Sequence, residues 1–223
     1  MSIGEESNNK LEFHFLSAIM LQSSAIILAG GFSKRLGRDK GLVLLKGKPL
    51  VLHVIDRLSI VVDEVVVVVS SEIQRKNFVK VLEGKASIFI DKTESQSPLV
   101  GAMTGFESAQ GEYSLLLPCD TPLVSARIVQ FLLKMCTNRS AAIPRWPGGY
   151  IEPLQAAYHT KLTLAAAKTA LAQGNMNMRS MIDNLKGVRY ISTLVLKEME
   201  PKLLTFFNIN TLQDLNKAEF LLK

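Results

Sequence analysis

The sequence predicts an α/β protein built on a single doubly wound, mostly parallel β-sheet. Short apolar runs rich in β-branched residues alternate along the chain with longer segments of helical periodicity, as in folds whose helices cover both faces of a parallel sheet. The chain has 223 residues, of which 48% are hydrophobic, enough for one sizeable core. Polar motifs follow several of the apolar runs, and such folds bind ligands at the carboxyl ends of their strands.

The first 22 residues are expected to lie outside this domain. They begin with a polar, acidic stretch and continue with an apolar segment that is too short and too polar to span a membrane. No small-residue cleavage site follows it, so a secretory signal is not predicted either. We therefore divide the chain into a tail, 1–22, and a domain, 23–223, expect a cytoplasmic location, and note that Met20 offers an alternative start.

The first predicted strand, 25–28, leads into a glycine-rich basic loop. The glycines and basic side chains that follow are Gly30, Gly31, Gly37, Lys34, Arg35, Arg38 and Lys40. Glycine brings backbone N–H groups close to an anion without a Cβ in the way. The spacing fits neither the dinucleotide G-x-G-x-x-G pattern nor the Walker pattern. The loop thus predicts a triphosphate site of another kind.

Helices and strands then alternate, as a doubly wound sheet requires. The segments predicted after the loop are a helix over 49–60, a strand over 65–69, a helix over Glu72–Leu82, and a strand over Ser87–Ile90. The residues expected on the buried face of the second helix are Ile73, Phe78, Val79 and Leu82. Asp91 follows the third strand, and a further helix is expected over 98–109.

A second clear signal is a strand that ends in an aspartate between two prolines. The apolar run Tyr113–Pro118 is followed by Cys119, Asp120, Thr121 and Pro122. This arrangement puts the Asp120 carboxylate at the carboxyl edge of the sheet. Mg²⁺ takes oxygen ligands, usually one or two carboxylates together with substrate phosphates. Asp120 is therefore the candidate magnesium ligand.

The second half of the chain is predicted to complete the sheet. The expected elements are helices over 125–136, 162–172 and 175–184, and strands over 141–144, 151–158, Val188–Ser192 and 204–209. Thr211 is expected to cap the last helix.

The residue inventory excludes several function classes. The two cysteines match no metal-ligand spacing, the three histidines are scattered, and no G-x-S-x-G motif occurs, so zinc chemistry and a serine hydrolase lack support. The net charge is +6, but aromatic residues do not interleave with the basic ones as a nucleic-acid stacking platform requires. An anionic small molecule fits this charge better than nucleic acid does.

Written as L-A-G-G-x-S-x-R-x-G-x-D-K, the loop closely resembles the signature of nucleotidyltransferases, above all of the molybdenum cofactor guanylyltransferase family. Three further motifs of that family occur in the same order: Asp91 before P-L-V-G, P-C-D-T-P around Asp120, and N-I-N-T-L-Q-D-L near the end. The resemblance runs from about residue 24 to the end of the chain. It departs at Ser97, where the family usually has glycine. It implies a Rossmann-like nucleotidyltransferase fold.

The resemblance also implies a reaction: transfer of GMP from GTP to the phosphate of molybdopterin or molybdenum-molybdopterin, with release of pyrophosphate. An acceptor phosphate is largely ionised near neutral pH and needs no general base. The nucleotide-binding residues implied are Leu28, Ala29, Gly30, Gly31, Lys40, Asp91 and Asp120. Arg35 and Lys40 would be the catalytic residues, acting with Mg²⁺ on the α-phosphate.

For the rest of the site, the resemblance implies residues near the metal and the acceptor. Asn208 or Asn210 would assist Asp120 as a metal ligand. The segment 151–158, with the family's E-P-L-x-A-x-Y pattern, would lie on the acceptor side of the cleft. Arg145 and Trp146 either contact the pterin and its phosphate or, as the residues themselves favour, lie in a solvated loop, and Arg179 is a candidate contact for the acceptor phosphate. Proteins that deliver molybdopterin and molybdoenzymes that receive the product would be partners.

Other functions stay open from the residues alone. One is a related transferase that uses CTP, or that has a sugar phosphate or a phosphorylated organic acid as acceptor. Another is a nucleotide sensor without turnover, against which the intact Arg35, Lys40 and Asp120 argue. A nucleic-acid-binding module has the least support.

Overall fold

The computed structural model of the protein describes residues 23–30, 32–33, 38–91 and 97–222. The tail, 1–22, and the loop residues Gly31 and Arg35 lie outside these described residues. The division into tail and domain therefore stays a prediction.

Most of the longer strands lie where the apolar runs of the sequence predicted them. In chain order they are β1 (Ser23–Leu28), β2 (Phe32–Ser33), β3 (Arg38–Asp39), β4 (Leu44–Leu45), β5 (Lys48–Pro49), β6 (Glu64–Val69), β7 (Ser87–Ile90), β8 (Tyr113–Pro118), β9 (Ala141–Arg145), β10 (Ala156–His159) and β11 (Val188–Ser192). Among the described residues, seven of them form one sheet in the order β11-β9-β10-β8-β1-β6-β7. Every neighbouring pair is parallel except those made by β10, which runs antiparallel to β8 and β9. The predicted doubly wound, mostly parallel sheet is confirmed.

The helices connect these strands across both faces of the sheet. In chain order they are α1 (Leu50–Leu58), α2 (Glu72–Leu82), α3 (Pro98–Ser108), α4 (Ala126–Cys136), α5 (Thr160–Ala172), α6 (Met178–Asp183), α7 (Thr193–Met199) and α8 (Leu212–Leu221). Thr211 caps α8 as predicted: its side chain accepts a hydrogen bond from Asp214 N, and the Asp214 carboxylate accepts one from the Thr211 backbone N–H. This reciprocal pair is a capping box.

The core has one layer on each face of the sheet, which explains why β1 is apolar at consecutive positions. Ala25 and Ile27 enter a cluster that also contains residues of α1, α2 and α4. Ile26, between them, enters a second cluster with residues of α3, α5 and α6. A strand covered on both faces has no polar side, as the sequence of β1 predicted.

The buried face of α2 differs from the prediction. Ile73 and Val79 are 75% and 51% exposed, whereas Gln74, Phe78 and Leu82 are buried. These three lie four residues apart and so share one side of the helix. The polar Gln74 takes the place expected for an apolar residue because hydrogen bonds satisfy it there.

The strand predicted over 204–209 was wrong. Residues Leu204–Phe206 form a 3₁₀ helix, preceded by Leu203 with φ of 46°. The Glu200 carboxylate accepts a hydrogen bond from Thr205 N, and Phe206 N bonds to Leu203 O. The backbone groups that a strand would give to a neighbour are thus used locally.

Two other elements differ in their bounds from the prediction, and the two-residue strands β2 to β5 were not predicted. The strand expected over 151–158 is Ala156–His159, since Gln155 N bonds to Glu152 O in a turn before it. The helix expected over 175–184 begins at Met178, where the Asn177 side chain caps it. Helix α7 was not predicted. Within the described part of the chain, no helix combines the length and apolar character that a membrane crossing needs.

Candidate active site

The carboxyl ends of β1, β6 and β8 meet at one edge of the sheet and bring the predicted motifs together. Hydrogen bonds continue the sheet beyond the strand ends: Ala29 N donates to Val68 O at 2.8 Å, and Cys119 N donates to Leu28 O at 3.0 Å. Asp91 N donates to Val69 O at 2.9 Å. These bonds fix the turns that carry Gly30, Asp91 and Asp120 side by side.

Lys40 is the centre of the polar part of the site. It opens a short 3₁₀ helix directly after the β2–β3 hairpin. Its Nζ donates to Asp120 Oδ2 and to Asn210 Oδ1, both at 2.6 Å. Ile209 N donates to Asp120 O at 2.9 Å and holds the segment before Asn210 in place. The site thereby joins side chains 170 residues apart in sequence.

Asp120 is 6% exposed, and its Oδ2 accepts the hydrogen bond from Lys40. Its Oδ1 is buried without a partner among the described residues. Buried polar atoms are nearly always satisfied, so an unpartnered carboxylate oxygen fits a cation ligand. No group of three or more His, Cys, Asp or Glu that could hold a metal occurs in the described residues.

The two asparagines predicted as further metal ligands have other hydrogen bonds. Asn210 Oδ1 accepts from Lys40, and Asn208 Oδ1 accepts from Gln155 Nε2 at 3.2 Å. Their carbonyl oxygens therefore hold protein side chains in this structure.

A cavity of about 240 Å³ lies beside this polar centre. The residues that line it are Leu28, Gly30, Val68, Ser70, Asp91, Ser97, Pro98, Gly101 and Leu154. Asp91 Oδ1 is buried there without a hydrogen-bond partner among the described residues. Burial raises the pKa of the Asp91 carboxyl, and the nearby Thr104 hydroxyl offsets part of that rise. The cavity thus has mostly apolar walls and one acceptor group ready for N–H donors.

A second cavity, of about 400 Å³, continues from the first past Leu28, Pro98 and Leu154. Its polar lining comprises Lys40, Asp120, Glu152, Gln155, Asn208 and Asn210. The two cavities form one cleft, with an apolar end at Asp91 and a polar end beyond Lys40.

Comparison with known sequences shows which protein family has this sequence pattern. The sequence model of a family described as "MobA-like NTP transferase domain" matches residues 25–188, which is more than half of the chain. The chain belongs to this family of nucleotidyltransferases. The match includes most of β1, the loop, Asp91, Asp120 and Glu152, whereas Asn208 and Asn210 of the cleft lie beyond its end.

Individual relatives and a solved structure agree with this membership. A protein of Methanosarcina acetivorans named "Probable molybdenum cofactor guanylyltransferase" is 33% identical over 86% of this chain and 88% of its own length. A "Molybdenum cofactor guanylyltransferase" of Desulfosudis oleivorans is 31% identical over 90% and 96% of the two chains. The crystal structure of molybdopterin-guanine dinucleotide biosynthesis protein A from Archaeoglobus fulgidus superimposes with a TM-score of 0.76 at 26% identity, covering 89% of this chain and 98% of that one.

The transferase does not bring every predicted acceptor residue to the cleft. Arg145 packs over the ring of Tyr190, 5.2 Å from its centroid, and Arg179 pairs with Asp183 on the exposed side of α6. Neither is among the described residues that line the two cavities. Trp146 reaches the site indirectly.

Trp146 is linked to the site through Glu152, a residue for which the sequence predicted no individual role. Trp146 Nε1 donates to Glu152 Oε1 at 2.7 Å, and Glu152 lines the polar end of the cleft. Burial raises the pKa of the Glu152 carboxyl, and the indole N–H offsets part of that rise.

Ser97, Ser70 and Gln74 complete the site. The Ser97 side chain accepts a hydrogen bond from Val100 N and caps α3, so serine has a local role where the family usually has glycine. Ser70 lines the apolar cavity, and Gln74 bonds to it. The sequence position of Gln74 could have indicated its burial, because it lies four residues before the apolar Phe78, on the same face of a helix that follows a buried strand.

Proposed function

We propose that this transferase moves GMP from GTP to the phosphate of molybdopterin or molybdenum-molybdopterin and releases pyrophosphate. The observation that carries the choice of base is the Asp91 side chain on the wall of the apolar cavity, whose Oδ1 is buried without a hydrogen-bond partner among the described residues. Guanine has a ring N–H and an amino group side by side on one edge, and a carboxylate accepts from two such donors at once. A site built to hydrogen-bond a particular donor strongly disfavours analogues that lack it. The names of the relatives support the same reaction.

The triphosphate would lie between Gly30 and Lys40, which line the two cavities of the cleft. Lys40 supplies a positive charge that Asp120 and Asn210 hold in a defined place. We propose Arg35 as the second cation at the α-phosphate. Leu28, Ala29, Gly30 and Gly31 would form the nucleotide-binding turn after β1.

Asp120 Oδ1 is the proposed ligand for Mg²⁺. When bound, the ion would neutralise charge on the α-phosphate and the leaving pyrophosphate. The chain contributes position and charge rather than proton transfer, because the acceptor phosphate is already a nucleophile near neutral pH.

The acceptor would occupy the polar end of the cleft, beside Glu152, Gln155 and Asn208. Proteins that deliver molybdopterin and molybdoenzymes that take up the product are proposed partners, and nucleic acid is not. We propose a cytoplasmic location, which the two buried, unpaired cysteines support, since free thiols are usual in reducing compartments.

The test is turnover by the purified protein with Mg²⁺, molybdopterin and each of the four ribonucleoside triphosphates. GTP should give the guanine dinucleotide of molybdopterin with one pyrophosphate per product. In a mixture of equal GTP and CTP, preferential use of CTP would establish the cytidylyltransferase alternative instead. Nucleotide binding without turnover on any acceptor would support the sensor.

A further inference from the structure

Gln74 is a buried polar side chain that joins two parts of the site. It is 6% exposed, on the face of α2 that packs on the sheet. Its Oε1 accepts from Ser70 N and Ser70 Oγ, both at 2.8 Å, and its Nε2 donates to Asp39 Oδ1 at 2.6 Å. One side chain therefore connects the turn after β6 with the residue directly before Lys40.

At the β6 end, Ser70 is part of the wall of the apolar cavity. It also packs against the glycine turn: a Cβ on Gly30 would lie only 3.3 Å from Ser70 Cβ. Because Gln74 holds both the amide and the hydroxyl of Ser70, it fixes the wall against which Gly30 rests.

At the other end, α2 contacts the turn on both sides of Lys40. Gln74 bonds to Asp39, and Phe78, one helical turn later, packs so closely on Gly41 that a Cβ there would lie 2.9 Å from Phe78 Cζ. Lysine has a long, flexible side chain, so its ammonium position depends on a fixed backbone and fixed partners. Helix α2 supplies the fixed backbone, and Asp120 and Asn210 supply the partners.

We propose that Gln74 is a positioning residue for nucleotidyl transfer, which sets the distance between the base cavity and the Lys40 ammonium. This inference rests on the proposed function, in which the base and the phosphates of one nucleotide bridge these two places. Glutamine suits the role because its amide accepts from Ser70 and donates to Asp39 at the same time. A catalytic group displaced by about 1 Å can lose on the order of 100-fold in rate.

Gln74→Glu tests the proposal, because a carboxylate can still accept from Ser70 but cannot donate to Asp39. Two facing carboxylates also repel each other when both carry charge, so at about pH 8 the variant should show a kcat/KM at least about tenfold lower. Gln130→Glu on the exposed side of α4 makes the same charge change away from the site and should not alter kcat/KM. The melting temperature of each variant separates catalysis from stability.

A double variant that reverses the direction of the hydrogen bond between positions 39 and 74 provides the decisive test. In Gln74→Glu combined with Asp39→Asn, the new amide at position 39 can donate to the new carboxylate at position 74. The factor by which Gln74→Glu lowers kcat/KM should therefore be at least about fivefold smaller in the Asp39→Asn protein than in the parent. Equal costs in the two backgrounds would overturn the proposal, as would parent kcat/KM in Gln74→Glu.

Asp39→Ala breaks the same bond from outside the core and serves if Gln74→Glu does not fold. It should reproduce the loss in kcat/KM at an unchanged melting temperature, whereas a purely structural link would lower the melting temperature and spare kcat/KM. All variants are compared with the triphosphate that the parent uses. A wrong base assignment then appears in the parent, and a wrong role for Gln74 appears only in the variants.

Discussion

At the scale of single residues, the site depends on two side chains that share one ion pair. Lys40 and Asp120 come from separate motifs, and their 2.6 Å contact leaves one oxygen of Asp120 unpartnered among the described residues. Under the proposed function the two residues would have separate roles, the ammonium group toward the phosphates and the unpartnered oxygen toward a cation. Substitution of either should affect turnover in a different way.

Lys40→Ala should lower GTP turnover by about two to three orders of magnitude, because losing a preorganised charge at a reacting phosphate costs about 3–4 kcal/mol. The measurement is kcat/KM of the soluble variant, with its melting temperature taken alongside. Lys161→Ala, at an exposed position of α5, is the matched control and should keep parent kinetics. Parent kinetics in Lys40→Ala would show that the loop is misassigned.

Asp120→Asn should abolish Mg²⁺-dependent turnover while the fold persists, because the amide keeps the shape but lacks the charge that holds a hard cation. A titration of activity against Mg²⁺ checks this expectation. The variant should stay inactive at concentrations that saturate the parent. If it follows the parent's titration curve, another residue is the ligand.

At the scale of elements, the site is assembled where the turns after β1 and β6 touch. Gly30 has no side chain, and a Cβ there would be in tight contact with Ser70, 3.3 Å from its Cβ. The apolar cavity begins at this contact. Its size therefore depends on how closely the two turns approach.

Gly30→Ala should reduce the preference for GTP over CTP about tenfold, while Mg²⁺ dependence is kept. The new methyl would lie 3.3 Å from Ser70 Cβ and 3.4 Å from Ser70 N, so the turns must separate slightly and distort the cavity that fits the larger base. A change of one methyl in a binding pocket is worth about 1–3 kcal/mol. Competition between equal GTP and CTP measures the preference. Gly148→Ala, which meets nothing within 4 Å, should leave it unchanged.

At the scale of the whole molecule, the doubly wound sheet makes one site from four separated segments. The two ends of the glycine-rich loop, Gly30 and Lys40, line the cleft together with Asp91, Asp120 and the segment around Asn210, although these residues are far apart in sequence. The first described strand, β1, begins at Ser23, and these motifs all follow it in the chain.

Deletion of residues 1–19 should therefore change neither the melting temperature nor kcat/KM. The comparison is between the full chain and a protein that starts at Met20. A large drop in melting temperature would mean that the apolar part of the tail packs on the core. Unchanged stability would support the division into tail and domain.

The sequence by itself determined the fold class and most of its elements, because local periodicity reports burial directly. The bounds of α2, β7 and β11 agree with the structure to the residue. Lys40 and Asp120, which the structure places in contact, were both singled out from the sequence, because one ends the glycine-rich loop and the other follows an apolar run.

Only the tertiary structure decided which polar groups meet. That Gln74 is buried and Ile73 exposed, and that Asn210 bonds to Lys40, depends on hydrogen bonds between segments distant in the chain. The segment 204–209 has the composition of a strand, but its backbone groups are bound by local turns and by Glu200. Periodicity records how much of a side chain is covered, whereas the partner of a buried polar atom is set by the packing of the whole fold.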